Sequence, residues 1–204
     1  MARSSREQAE KHREAIEAAS SRLFRERGLN GISVAELMGS AGLTHGGFYS
    51  HFDSKDALAA IACGRAFAES AQRWDRRLAE AGDDRHAMRE RIAGPYLSAR
   101  HRDDPGGGCP AVAMCVDVAR EAADKPVRQA FRDGLQQLVA QWERTIDEAD
   151  PAVRRRRAMA ELAAMTGAVM LARATVDSPD ADDFLAGMRE LILGAGSAEA
   201  AEGG

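Results

Sequence analysis

The chain has 204 residues, of which 45% are hydrophobic and 29% are charged, and its formal net charge is −4. This composition is typical of a globular protein with a real core and excludes a disordered chain. No apolar run approaches the ~20 residues needed to cross a bilayer. The charged start MARSSREQAEKHREAIEAA lacks the apolar stretch of a signal peptide. We therefore expect a cytoplasmic protein that makes no membrane contact.

The cysteine content and the charge distribution narrow the class of protein further. Three cysteines in a chain of this length do not make a disulfide framework, so we expect free thiols. The net charge gives no hint of a nucleic-acid partner. However, residues 1–27 hold seven basic side chains against five glutamates, so the front of the chain is slightly basic and the remainder is acidic.

The sequence of the first part of the chain predicts two helices with clear ends. Apolar residues at helical spacing predict a first helix from about Ser5 to Arg27, with Gly28 as its stop. Ser33-Val34-Ala35-Glu36 is a capping-box sequence and predicts the start of a second helix at Ser33. This second helix is expected to end near Gly39 or Gly42.

The stretch THGGFYSHF predicts a third, very short helix, with Thr44 as its cap. Asp53 or Ser54 caps a fourth helix, which runs to a stop near Gly82. Strand signals are nearly absent from the rest of the chain, and the fold class is predicted as all-α with about nine helices. The further helices are predicted at about 84–101, 110–122, 125–148, 152–177 and 181–194.

Helices of roughly 20, 7 and 7 residues, the last two joined by a glycine-containing turn, are typical of a helix-turn-helix unit. In such a unit the last helix enters the major groove of DNA, led by its N-terminal residues. Small residues there permit a close approach of the backbone. The N–H groups of the first turn can also bind phosphate oxygens.

Residues 28–58, GLNGISVAELMGSAGLTHGGFYSHFDSKDAL, are similar to the DNA-binding motif of the TetR-type transcriptional repressors. The similarity covers the hydroxyl-initiated helix, the Ala41–Thr44 turn, the Gly-x-Phe-Tyr-x-His-Phe helix and the Ser-Lys-x-x-Leu start of the next helix. The resemblance implies an all-helical homodimer with a DNA-binding domain over residues 1–53. An effector-binding and dimerisation domain would follow over 54–196. The tail 197–204 has no apolar periodicity, and we expect it to be disordered.

The resemblance implies DNA contacts from seven positions: Ser33, Thr44, His45, Gly46, Tyr49, His51 and Lys55. The first three residues of the THGG stretch would face base edges or flanking phosphates. Tyr49 would project its ring and hydroxyl to the DNA, and Ser33, His51 and Lys55 would reach backbone phosphates. Phe48 would point the other way, into the core.

Two neighbouring features are less specific. Gly47 leaves little base-reading surface at its position, and Phe52 is expected in the core together with the other phenylalanine of the stretch. Most arginines of the first helix form a solvated face, and one or two of them, Arg3 or Arg6, would contact DNA from the N-terminal arm.

Apolar stripes in the second half of the chain predict either an effector pocket or ordinary core, because methionine and aromatic side chains suit both. The effector is an unknown small molecule. The candidate residues are Met88, Tyr96, Met114, Val118, Phe131, Leu135 and Trp142.

The segment GGGCPAVAMC adds two cysteines to these effector candidates. Cys109 comes directly before a predicted helix N-terminus, which favours the nucleophilic thiolate. The Gly-Cys-Pro placement resembles that of a subgroup of TetR-type regulators, some of which respond to electrophiles or oxidants through that cysteine. Cys115 would lie about 9 Å away within one helix, beyond the ~7 Å limit for a disulfide. Cys109 is thus predicted to be either a sensor or a structural helix-start residue.

The last two predicted helices each carry an apolar face, and we expect them to form a four-helix bundle between two subunits. The residues assigned to this dimer interface are Leu162, Met165, Thr166, Val169, Phe184, Met188, Leu191 and Ile192.

The sequence contains no motif that indicates an enzyme. Glu-x-x-His pairs, His-Glu-x-x-His, Gly-x-Ser-x-Gly and P-loop patterns are missing, and the histidines do not cluster at ligand spacing. No catalytic residue, metal or cofactor is predicted. The sequence therefore predicts a repressor that binds a palindromic operator as a homodimer and is released by an apolar ligand or by cysteine modification. The alternative is a helical ligand-binding or scaffold protein without DNA function.

Overall fold

The computed structural model describes residues 2–194, and side chains from residue 6 onward. Within that part the chain is all-α, with nine α-helices and one 3₁₀ helix. The 3₁₀ helix is His45–Ser50. The α-helices are α1 (Ala2–Arg27), α2 (Val34–Ser40), α3 (Lys55–Ala81), α4 (Arg85–Tyr96), α5 (Ala99–Asp103), α6 (Pro110–Arg120), α7 (Pro126–Glu143), α8 (Pro151–Ala174) and α9 (Asp180–Leu193). The tail predicted at 197–204 and the Arg3 side chain lie outside the described part.

The chain divides into two compact units. The first comprises the chain up to Glu69 together with Pro105–Leu135, and the second comprises Ser70–Asp104 together with the chain from Gln136 onward. The division falls inside α3 and inside α7. The sequence-based boundary after residue 53 is a different partition, and it stays a prediction.

The first unit is held together by aromatic and aliphatic side chains from α1, α2, α3, α6 and α7. Phe24 and Phe67 are fully buried or nearly so, and the ring of Phe67 lies edge-on to that of Phe131 at 5.2 Å. Helices α3 and α7 approach closely at this point, because a Cβ atom at Gly134 would lie 2.1 Å from Cγ of Phe67. Glycine is therefore required there despite its poor helix propensity.

The second unit contains a cluster of three aromatic side chains. The Trp74 ring lies 6.0 Å from the Tyr96 ring and 6.2 Å from the Trp142 ring. The Trp142 Nε1–H donates to Glu161 at 2.9 Å, and Arg89 donates to the same carboxylate at 2.9 Å. Burial raises the pKa of Glu161, but the hydrogen bonds from arginine outweigh it and hold that pKa below its usual value. The half-buried acid is thus ionised and paired.

Local capping explains several of the helix boundaries that the sequence predicts. The Ser33–Glu36 capping box forms as predicted, and Gly28 and Gly82 end their helices with positive φ. Asp150 accepts hydrogen bonds from the first-turn N–H groups of α8, just before Pro151. Of the two cap candidates for α3, it is Ser54 whose hydroxyl accepts from the Ala57 N–H, at 3.0 Å.

Other boundaries differ from the predictions. The helix predicted over 84–101 is two helices, because Leu97 and Ser98 interrupt it and the Ser98 hydroxyl caps α5. The helix predicted to reach residue 148 ends at Glu143. The third helix is 3₁₀ rather than α, and Thr44 occupies its N-cap position without a side-chain capping bond. In the described part of the chain, no helix is long and apolar enough to cross a membrane.

Candidate nucleic-acid interface

Two buried phenylalanine side chains attach the 3₁₀ helix to the core. Phe48 is fully buried and Phe52 is 4% exposed, and their ring centroids are 5.7 Å apart. Backbone bonds of the 3₁₀ type run from Gly47 N to Thr44 O at 3.2 Å and from His51 N to Phe48 O at 2.9 Å. The apolar side chains therefore fix which face of this short helix points outward.

The outward face carries four of the predicted DNA-contacting residues. Thr44, His45 and Gly46 are exposed, and Tyr49 is 72% exposed, with its ring edge-on to Phe48 at 5.2 Å. The Thr44 hydroxyl makes no capping bond and so is available to an outside partner. An exposed tyrosine of this size on a folded surface is typical of a binding site.

The turn before the 3₁₀ helix depends on one glycine. Gly42 has a φ of +73°, a conformation that glycine adopts without steric cost. The Leu43 N–H then bonds back to Met38 O at 2.9 Å, which ends α2 as a glycine-terminated helix. This turn sets the direction in which the 3₁₀ helix leaves α2.

The two glycines of THGGFYSHF are not required by the fold. Neither has positive φ. A Cβ atom at Gly46 would meet nothing within 4 Å, and one at Gly47 would make an ordinary contact of 3.6 Å with Met38 Cε. Since the chain's own packing gives no reason for glycine at Gly46, a close approach by another molecule is a sufficient reason for it.

Arg13 of α1 holds the end of the 3₁₀ helix, a contact that the sequence analysis missed. Its Nη1 donates to the His51 carbonyl at 2.8 Å, and its guanidinium lies 4.8 Å over the Phe52 ring. The half-buried His51 ring is edge-on to His12 at 6.3 Å. The arginine side chain thereby satisfies a terminal carbonyl and fixes the chain beside a predicted phosphate ligand.

Ser33 is already engaged within the chain. Its hydroxyl donates to Glu36 at 2.8 Å and accepts from the Glu36 N–H at 3.2 Å. Hydrogen bonds from Ser33 lower the pKa of Glu36, and Arg27 pairs with that carboxylate at 3.2 Å. A phosphate at this end of α2 would therefore meet the remaining backbone N–H groups rather than the serine hydroxyl.

Lys55 opens α3 and is half-exposed. It borders a small surface cleft of about 20 Å³ that also includes Asn30, Asp56 and Lys125. Lys125 pairs with Asp56, and Asn30 donates to Glu121 at 3.0 Å. The aspartate next to Lys55 is thus paired with a lysine from the later part of the first unit. The sequence carries no local signal for this pairing.

The predicted effector residues fall into both compact units. Met88, Tyr96 and Trp142 belong to the second unit and are buried there. In the first unit Met114, Val118 and Phe131 are also buried, while Leu135 is half-buried. None of these seven residues lines the cleft beside Lys55, so their assignment to an effector pocket stays a prediction.

The three cysteines, all within the described residues, form no disulfide. Cys109 occupies the N-cap position of α6, directly before Pro110, as the sequence predicts. Its side chain is 5% exposed, whereas Cys115 is exposed. Burial raises the pKa of the Cys63 thiol to about 12, so this residue stays protonated. Cys115 is the thiol that solvent reaches.

The residues predicted for the dimer interface differ in burial, and the interface itself stays a prediction. Leu162, Met165, Val169 and Ile192 are buried within the chain. Their apolar side chains lie inside the second unit, where α8 packs against α9.

Thr166 is half-buried, and its hydroxyl is 3.1 Å from that of Tyr96. The other three predicted interface residues lie on α9 and keep part of their surface exposed. Leu191 is 74% exposed, Phe184 is 37% exposed and Met188 is half-buried.

Residues 16–61 match the family model of bacterial regulatory proteins, tetR family. This segment contains the end of α1, all of α2 and the 3₁₀ helix, and the start of α3. Among curated proteins, the sequence comparison finds no match. In the described residues no group of three histidine, cysteine, aspartate or glutamate side chains is placed to hold a metal ion.

Solved structures share the fold over most of the chain. A TetR-family regulator from Chloroflexus aurantiacus is 23% identical, with 92% of this chain and 94% of that chain covered and a TM-score of 0.74. The reduced form of NemR from E. coli is 22% identical over 87% and 94%, with a TM-score of 0.69. FadR from Bacillus subtilis in complex with stearoyl-CoA is 13% identical over 88% and 96%, with a TM-score of 0.65. At these identities the likeness shows the fold alone.

Proposed function

We propose that this chain, a TetR-type transcriptional regulator by its match over residues 16–61, is a cytoplasmic repressor that binds a palindromic operator as a homodimer. The observation that carries the proposal is the two-sided 3₁₀ helix. Phe48 and Phe52 are buried beneath it, while Thr44, His45 and Tyr49 are exposed on the opposite side. Such a face can enter a major groove without any rearrangement of the core.

DNA selection from a random pool tests the operator. We expect the full-length protein to enrich a palindrome whose half-sites are about one helical turn apart. Tyr49→Ala should weaken binding to that site and leave the unfolding midpoint within experimental error, because the ring is exposed. A scaffold protein without DNA function would enrich no sequence.

The salt dependence of binding tests the phosphate contacts. Lys55→Ala should lower the slope of log K against log salt by about one, because one phosphate contact is lost. Arg156→Ala is the matched control: it removes an exposed positive charge from α8 and should leave the slope unchanged. Undiminished binding by Tyr49→Ala combined with Lys55→Ala contradicts the assignment.

The exposed face of α9 supports dimerisation. Phe184, Met188 and Leu191 follow the spacing i, i+4 and i+7 and so share one side of the helix, and they keep substantial exposure in the single chain. An apolar stripe of this kind favours association with a second copy. Leu191→Asp should therefore produce monomers in analytical ultracentrifugation. Val116→Asp, which changes an exposed apolar residue of the first unit, should remain dimeric.

Release from DNA is proposed to follow binding of a small apolar ligand or modification of a cysteine. The first route depends on buried methionine and aromatic side chains, and stearoyl-CoA, the ligand of FadR, is a suitable long-chain probe. An effector that binds more tightly to a dimer with a different distance between its two DNA-binding helices would lower operator affinity by population shift. Titration of the protein–operator complex with the probe measures this directly.

The cysteine route assigns the response to Cys109, at the start of α6. Cys109→Ser should bind the operator normally and resist release by an electrophile such as N-ethylmaleimide. Cys115→Ser, which removes the exposed thiol, is the matched control. If the Cys109→Ser variant is still released, the cysteine route through this residue is wrong.

A further inference from the structure

Two histidine side chains meet at the end of the 3₁₀ helix, within the first unit. The ring of His12, from α1, and the ring of His51 have their centroids 6.3 Å apart and their planes at 77° to each other. Both residues are half-buried, and we call them the histidine pair. From the sequence, only His51 is predicted to contact a phosphate.

The histidine pair lies beside a bare stretch of α1. Between residues 6 and 15 every residue of this helix except His12 is exposed. His12 is thus the one position of this stretch at which the rest of the described chain partly covers the helix. An outside molecule can therefore reach the pair along α1 without any rearrangement of the core.

Gln8, one turn before His12 on α1, orients the His12 ring. Its amide nitrogen lies 2.6 Å from Nε2 of His12. An amide N–H donates, so Nε2 accepts in this arrangement and the proton of the neutral ring is on Nδ1. Among the described residues, neither Nδ1 of His12 nor the ring of His51 has a hydrogen-bond partner. Both rings therefore keep a nitrogen for an outside partner.

The charges next to the histidine pair favour an anion. Arg13 donates from Nη1 to the His51 carbonyl at 2.8 Å, which brings a guanidinium to the pair. Glu17 is engaged with the same arginine, whose Nε donates to it at 2.9 Å. Glu14 is two positions from His12 and so lies on another side of α1.

We infer that the histidine pair binds one phosphate group of the operator backbone, with His12 and His51 each donating a ring N–H to it. Two N–H···O bonds of about 2.9 Å around a tetrahedral anion fit rings at this separation. The inference rests on the proposed operator binding, because the pair follows the end of the 3₁₀ helix that is proposed to enter the major groove. Such a contact fixes the orientation of the protein on the duplex and does not read the sequence.

Operator affinity tests the contribution of His12. His12→Ala should lower it by about tenfold, the lower end of the range for a hydrogen bond to a charged group. Affinity for unrelated DNA should fall by the same factor, because a phosphate contact is independent of sequence. His12→Asn keeps an N–H near the position of Nδ1 and should bind more tightly than His12→Ala. His86→Ala, which removes an exposed histidine of α4, is the matched control and should bind normally.

A double-mutant cycle tests whether the two rings share one phosphate. In that case His12→Ala combined with His51→Ala should lose less affinity than the product of the two single losses. Losses that multiply would mean that the rings act independently, which contradicts a shared phosphate.

Substitution of single phosphates by neutral methylphosphonates locates the contact on the operator. At the phosphate bound by the histidine pair, the substitution should weaken binding of the unmodified protein and have little effect on His12→Ala or His51→Ala. At the phosphate bound by Lys55, it should weaken all three proteins alike. A purely structural histidine at position 12 would give a loss of affinity that singles out no phosphate.

The outcomes distinguish the histidine pair from the proposed function. Unchanged affinity and an unchanged methylphosphonate pattern in His12→Ala would overturn the inference and leave operator binding intact. An even loss over all phosphates, together with a lower unfolding midpoint, would also overturn it. Failure of the unmodified protein to bind any DNA would remove the proposed function itself, and the histidine pair with it.

Discussion

The side chain of Asp117 accepts a hydrogen bond from the backbone N–H of Leu29 at 2.9 Å, across 88 positions of sequence. Leu29 follows the end of α1, where Gly28 has a φ of +77°. A Cβ atom at Gly28 would lie 2.4 Å from the same carboxylate. Helix α6 therefore fixes the turn that leads from α1 into α2. This contact also fixes the position of the helix-turn-helix motif within the first unit.

Asp117→Ala tests this contact. The Leu29 N–H would lose its acceptor in a half-buried place, which costs about 1–3 kcal/mol. We expect the free energy of unfolding in urea to fall by this amount and operator affinity to fall with it. Asp133→Ala, at an exposed carboxylate of α7, should change stability by less than about 0.5 kcal/mol. Equal effects in the two variants would mean that the contact contributes nothing of its own.

Gly46→Ala separates folding from DNA binding. The added methyl group meets nothing within 4 Å, so the unfolding midpoint should not fall. In a tight groove contact the same methyl group costs about 1–3 kcal/mol, which lowers operator affinity roughly five- to 150-fold. The control is Gly64→Ala in α3, where a methyl group is also unopposed. Normal operator binding by Gly46→Ala would remove the explanation for this glycine.

Local chemistry made much of the fold predictable. The capping box at Ser33, the stop at Gly28 and the Asp150-Pro151 start depend on neighbouring residues, and the structure confirms all three. The split after Leu97 was missed because the interruption depends on a single local feature, the cap at Ser98.

Long-range contacts explain what the sequence analysis missed at the site. Arg13 reaches the His51 carbonyl from 38 positions away, and no local pattern predicts such a pair. The apolar faces of α8 and α9 were predicted correctly as faces. Periodicity does not tell whether a face such as that of Leu162 meets the same chain or another one, and here it is buried within the chain.

Thiol alkylation distinguishes the three cysteines. Iodoacetamide should modify the exposed Cys115 first, because access limits the reaction. Cys63 is fully buried with a pKa of about 12, so it should react only after unfolding. Mass spectrometry of peptides from timed samples gives the order directly. Early modification of Cys63 would show that α3 opens locally on the timescale of labelling.

The last prediction concerns pH and depends on His101. Its pKa is lowered from 6.5 to about 4, first by burial and further by Arg173 and Arg73. Between these two pH values the unfolded chain binds a proton that the folded chain does not. Stability from this group is therefore present above pH 6.5 and is lost as the pH falls towards 4.

The size of this loss of stability follows from the shift in the pKa of His101. At about 1.4 kcal/mol per pKa unit, the loss reaches up to about 3 kcal/mol. His101→Asn can still donate to the Tyr96 carbonyl but does not titrate, so its free energy of unfolding should depend less on pH in this window. Urea unfolding of both proteins between pH 4 and 7 measures the difference. Parallel curves for the two proteins would show that His101 does not control acid stability.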